Sequence, residues 1–133
     1  MNEMLAAAFE NAGSAIARLG EALEQSAGAP SGSLMIDGTI QRFEFSIETT
    51  WKLLRKILQT EKVEDTLTPK QIMVKAYGYG LIDEEDVWLA MLDDRNLTSH
   101  TYRQKLANEI YARIQKYHIV MQSTFDKLQK KYG

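Results

Sequence analysis

The chain has 133 residues, of which 44% are hydrophobic and 26% charged, with a formal net charge of −2 and no cysteine. That length suits a single domain over residues 1–133 with a real core, and is too short for two. The acidic balance excludes a protein whose main work is coating nucleic acid, though not a local basic site, and the missing cysteines exclude disulfides, thiolate metal sites and thiol nucleophiles.

No apolar run approaches the roughly 20 residues needed to span a bilayer, so no membrane partner is expected. The first residues carry Glu3 and Glu10 and no basic segment ahead of an apolar one, unlike a secretory signal. The expected location is cytoplasmic.

Apolar residues at Leu5, Phe9, Ala12, Ile16, Leu19 and Leu23 advance by threes and fours, which predicts a first amphipathic helix. Its many small residues, among them Ala8, Ala12, Gly13 and Gly20, would let a neighbouring helix approach closely, either within the chain or from a second copy. The loop SAGAPSGS, residues 26–33, follows. A second stripe at Ile36, Ile40, Phe43, Ile47, Trp51, Leu54 and Leu58 predicts a long helix to about Thr60. Thr68 and Pro69 form an N-cap and N1 pair opening a short helix, LTPKQIMVKA, which Gly78 and Gly80 close. Asp83 is expected to cap EEDVWLAMLDDR, whose first turn is acidic, where the helix dipole favours negative charge. Ala107, Ile110, Ile114, Met121, Phe125 and Leu128 mark a last helix from near Tyr102 to Lys131.

No segment alternates with period two. The expected class is therefore all-α, a four-helix up-and-down bundle with an additional short helix between its second and fourth segments.

The chemistry concentrates in RNLTSHTY, residues 95–102, between two helical segments. Arg95 and His100 stand in an R-x4-H arrangement. A guanidinium holds phosphate oxygens through a fixed set of donors and an imidazole moves protons near neutral pH, a pair suited to phosphodiester cleavage without metal. The spacing alone is weak, because Arg113 and His118 repeat it inside the last helix, where His118 falls one turn after Ile114 as a packed or interface histidine would. On a continuous helix Arg95 and His100 would stand ~140° apart around the axis. Either the helix breaks near Thr98 or Ser99, capping the last helix, or a second protomer completes the site. In an extended stretch His100 and Tyr102 would share one side, about 6 to 7 Å apart. The purely structural alternative is a capped turn in which Arg95 pairs with Asp93 or Asp94. Metal ligation has little support, since the two histidines lie far apart, although Asp93 and Asp94 are carboxylates of the kind a hard cation takes.

Three stretches, FEFSIETTWKLL (43–54), LTPKQIMVKAYGYGLIDEEDVWLAML (67–92) and DDRNLTSHTY (93–102), resemble the nucleotidyltransferase substrate-binding proteins. These are small all-α members of the HEPN superfamily found beside a separate minimal nucleotidyltransferase subunit. The resemblance covers roughly residues 34–118, and the R-x4-H-x-Y motif ending at Tyr102 is its most specific part. It implies a toxin of a toxin–antitoxin pair that acts as a metal-independent endoribonuclease, with the motif in a cleft at a homodimer interface. Arg95 and His100 become the catalytic candidates, with Asn96 supporting, and Tyr102 the acceptor of AMP transferred by the partner nucleotidyltransferase as antitoxin. RNA is the implied substrate, with no DNA partner and no cofactor. The alternative is a non-enzymatic subunit that presents a nucleotide or other substrate to the nucleotidyltransferase.

Overall fold

The apolar stripes fold into five α-helices: α1 (Glu3–Ser26), α2 (Leu34–Thr60), α3 (Pro69–Gly78), α4 (Glu85–Leu97) and α5 (Gln104–Tyr132). The structure is a computed structural model, described here over residues 3–63 and 67–133. Among the described residues there is no strand.

Side-chain contacts set the topology. Ser46 donates to the Ala15 carbonyl and Thr39 to that of Ala22, so residue numbers fall along α1 as they rise along α2. The same opposition holds between α1 and α5, where His118 lies against Ile16 and Phe125 against Phe9, and between α4 and α5, where Asp94 meets Arg113 and Asp83, just ahead of α4, meets Lys127. The result is the expected up-and-down four-helix bundle, with α3 inserted between α2 and α4 and laying Ile72, Met73 and Ala76 into the core.

All six residues of the predicted α5 stripe are buried, as are those of α2 except half-buried Trp51. One continuous apolar cluster joins the five helices, with Trp88 and Phe43 among its largest fully enclosed side chains. Burying a side chain of that kind contributes on the order of 2–3 kcal/mol, far more than any one helix propensity.

Two of the small residues of α1, Gly13 and Gly20, make room for a helix of the same chain. A Cβ at Gly13 would stand 2.8 Å from the Phe125 ring and one at Gly20 3.0 Å from the His118 imidazole, so α5 occupies the space those glycines leave. On the opposite seam Thr39 and Ser46 return their hydroxyls to carbonyls four residues back on α2 as well as facing α1, which satisfies them in a buried position.

Helix ends follow local chemistry at α2 and α3 but not at the start of α4. The 26–33 loop turns through Gly28 and Gly32 at positive φ, and Ser33 caps α2 by accepting from the Ile36 amide. Thr68 and Gln71 form a reciprocal capping box around Pro69, and Gly80 closes the segment after α3 at φ +74°. Asp83, however, does not cap α4. Glu84 occupies that position without a side-chain cap hydrogen bond, while the Asp83 carboxylate pairs with Lys127 at 2.8 Å. A long lysine from α5 reaches it, and a competing partner of this kind is invisible to local sequence rules.

Replacing Thr68 by Ala removes half of the capping box and should lower stability by about 1 kcal/mol. The check is the urea midpoint of the variant at unchanged slope.

Candidate functional site

The RNLTSHTY joint is built by α4 running out of regular hydrogen bonds. Arg95 sits in the last turn of α4, after which Thr98–His100 tighten into a single 3-10 turn and the chain bends through Thr101 to Arg103 before α5 begins. Thr98 Oγ1 lies 2.7 Å from the Arg95 carbonyl and 2.9 Å from a Glu44 carboxylate oxygen, two acceptors for one proton, and Thr101 donates to the Thr98 carbonyl at 2.8 Å. These hydroxyls stabilise the end of α4 and do not cap α5, whose N-cap position is Arg103 with no side-chain cap bond. The helix therefore breaks where the sequence suggested, but the hydroxyls face backward.

Beyond the break the motif side chains reach the surface, Arg95 half-buried and Asn96, His100 and Tyr102 exposed. The Arg95 guanidinium donates to Asn96 Oδ1 at 3.0 Å and is ion-paired to Glu48 of α2. Neither Asp93 nor Asp94 takes it, because Asp93 pairs with Lys70 at 2.9 Å and Asp94 turns inward. A cavity of about 330 Å³ opens at this point, walled by Glu44, Glu48, Arg95, Asn96, Thr98 and Ser99. His100 stands outside that wall. Its ring meets Tyr102 edge-on, centroids 6.1 Å apart, and the Arg103 guanidinium lies over the Tyr102 ring at 5.7 Å. The backbone here is a turn, not the extended stretch that alternation implied, yet the imidazole and phenol still pair. Tyr102 is 76% exposed.

Two acidic residues of the site, Glu44 and Glu48, were not singled out from sequence. They lie one turn apart on α2 beside its apolar stripe, and that spacing was the available signal.

Behind the joint lies a buried lock. Asp94, 5% exposed, accepts from Arg113 Nε and Nη2 at 2.8 and 2.7 Å and from the Tyr117 hydroxyl at 2.6 Å. Tyr117 stacks on Phe43 of α2, centroids 5.5 Å apart. Burial, then donation to Asp94, pushes the Tyr117 phenol well above its usual range, and the hydrogen bond to Asp94 raises the Arg113 guanidinium. Arg113 and His118, the second R-x4-H, are thus separated in role. Arg113 holds α4, and His118 Nε2 lies 3.1 Å from the Ile16 carbonyl of α1.

Among the described residues, no group of three or more His, Cys, Asp or Glu side chains is arranged to hold a metal, and no helix is long and apolar enough to cross a membrane.

Residues 7–130 match the family model described as nucleotidyltransferase substrate binding protein like. The chain belongs to that family. A Haemophilus influenzae relative named "Probable ribonuclease HepT" is 35% identical over 101 residues, which cover 73% of this chain and 69% of that protein. Among solved structures, family resemblance extends to a Haemophilus influenzae protein described as revealing the fold of a substrate binding domain of a nucleotidyltransferase, with TM-score 0.83 and 30% identity over 91% of this chain and 98% of that one. A protein from Thermus thermophilus matches with TM-score 0.79 and 33% identity over 88% and 98% of the two chains. The family fold is therefore the all-helical bundle described above.

Arg113→Ala leaves the buried Asp94 carboxylate without its cation and should cost about 3 kcal/mol, whereas Arg95→Ala, at a half-open ion pair, should cost less than about 1 kcal/mol. Urea denaturation of the two variants makes the comparison. Above pH ~10 the unfolded chain releases its tyrosine proton before folded Tyr117 does, so unfolding free energy should fall with pH relative to Tyr117→Phe, by up to about 1.4 kcal/mol per pH unit. Parallel pH–stability curves for wild type and Tyr117→Phe would contradict the lock.

Proposed function

We propose that the protein is a metal-independent endoribonuclease toxin whose activity a paired minimal nucleotidyltransferase, its antitoxin, switches off by adenylylating Tyr102. The observation that carries this reading is the exposed Tyr102 phenol in edge contact with His100, in the turn that follows Arg95 at the end of α4. In cleavage the ribose 2'-oxygen bonds to phosphorus as the bond to the 5'-oxygen breaks, leaving a cyclic phosphate and a free 5'-hydroxyl. His100 takes the proton from the 2'-hydroxyl or delivers one to the leaving oxygen, and Arg95 stabilises the charge on phosphorus, with Asn96 holding the guanidinium.

Arg95 and His100 do not wall the same cavity within one chain. A homodimer in which two joints face each other supplies the missing half of each cleft, and RNA is the substrate that reaches across it.

The switch follows from simple electrostatics. The Tyr102 oxygen attacks the α-phosphorus of ATP, pyrophosphate leaves and the phenolic proton is lost. The attached AMP carries a negative charge, and at ~5 Å from a substrate phosphate, with an effective dielectric of about 20, repulsion is on the order of 3 kcal/mol. That amounts to about a hundredfold in binding before any steric block.

One observation favours a second reading. Glu48 already neutralises Arg95, as it would in a non-enzymatic subunit that binds a nucleotide or other substrate for the nucleotidyltransferase. The tests separate the two. Purified unmodified protein should cut RNA in chelator, His100→Ala should lose at least about a hundredfold of that rate, and co-expression with the nucleotidyltransferase should add whole AMP masses at Tyr102. Intact RNA with wild-type protein, together with an unmodified chain after co-expression, would establish the binding subunit instead.

A further inference from the structure

On a face of α2 next to the one that meets the joint, a groove of about 220 Å³ runs between α1 and α2. It exists because the two helices approach closely where Ser46 donates to the Ala15 carbonyl, while longer side chains rise on either side. Those are Asn11, Ser14 and Arg18 from α1 and Arg42, Phe45 and Thr49 from α2.

The lining is unusual for a chain of net charge −2, since it holds two guanidiniums and no carboxylate. Arg42 Nη1 donates to the Arg18 carbonyl at 2.9 Å, which fixes one guanidinium at the edge of the groove and leaves its remaining donors free. Among the described residues neither Arg18 nor Arg42 forms an ion pair. Phe45 stands beside them half exposed, a flat apolar face next to two cations.

We infer that this groove binds one nucleotide, its base against Phe45 and its phosphate on Arg18 and Arg42. Two cations with hydrogen-bond donors match a phosphate, and an exposed aromatic ring matches the face of any base, a combination characteristic of single-stranded nucleic acid sites. The groove is too small to enclose a whole nucleotide, so the sugar edge stays in solvent and the nucleotide either arrives free or belongs to a strand. Glu44 and Glu48, which wall the joint cavity, each precede a groove residue, Phe45 and Thr49. A strand therefore has only the width of one helix, about 10 Å with side chains, to cross between the two. The assignment stands apart from whether the joint cleaves RNA.

The test uses the full chain, a fluorescently labelled 2'-O-methyl oligoribonucleotide, which cannot be cut through its 2'-oxygen, and AMP as a free nucleotide. Arg18→Gln with Arg42→Gln should weaken strand binding more than tenfold and flatten its salt dependence by about one unit of slope. Phe45→Ala should weaken it by about five- to a hundredfold with the slope retained. A loss confined to AMP binding would identify the free nucleotide as the natural occupant of the same groove. Lys130→Gln with Lys131→Gln removes equal charge elsewhere and should change affinity less than about twofold. Thermal unfolding confirms that every variant is folded. Unchanged affinity for both probes in the groove variants, or an equal loss in the charge control, overturns the assignment. Wild-type protein that binds the strand but leaves ordinary RNA intact overturns the ribonuclease reading alone.

Discussion

The geometry of the candidate site depends on one buried carboxylate. Asp94 precedes Arg95 in sequence but points the other way, into a bidentate pairing with Arg113 and a short bond from Tyr117. An ion in that position is tolerable only because three donors replace the water it has lost. Since Asp94 belongs to the last regular stretch of α4, fixing it against α5 fixes the helix phase there and turns the next residue outward. Arg95 is therefore left on the outer side of the helix, half-buried against Glu48 of α2.

α2 contributes the other half of the arrangement. Glu44 and Glu48 reach across to Thr98 and Arg95, so the polar joint is held by carboxylates that are neither on it nor near it in sequence. The same helix offers Phe45 and Arg42 on a different face. One long helix thus separates a corner rich in hydroxyls, with acidic residues behind it, from a groove carrying only positive charge. Overall net charge hides this difference, because it averages over surfaces that a ligand meets singly.

The two R-x4-H sequences show how little spacing decides. Arg113 and His118 stay in continuous helix, point in different directions and tie α5 to α4 and to α1 respectively. Arg95 and His100 span the end of a helix, where the 3-10 turn changes the angle between them and lets His100 meet Tyr102. The neighbouring hydroxyls made that break legible from sequence, since Thr and Ser compete with helical hydrogen bonding. Which carbonyls they would bond was not legible, because both ends of the turn offered acceptors.

The sequence by itself determined the all-helical class, the five helices, the main core stripes of α1, α2 and α5 and the location of the polar joint. All of these follow from periodicity and capping, which act over three or four residues. Only the tertiary structure decided the partners: Glu48 rather than Asp93 or Asp94 for Arg95, Lys127 for Asp83, α5 side chains for the glycines of α1, and the facing of two arginines across the groove. Those choices join residues from 24 to about 110 positions apart, and they rest on helix phase and on which charges are near enough to compete. A local pattern contains neither.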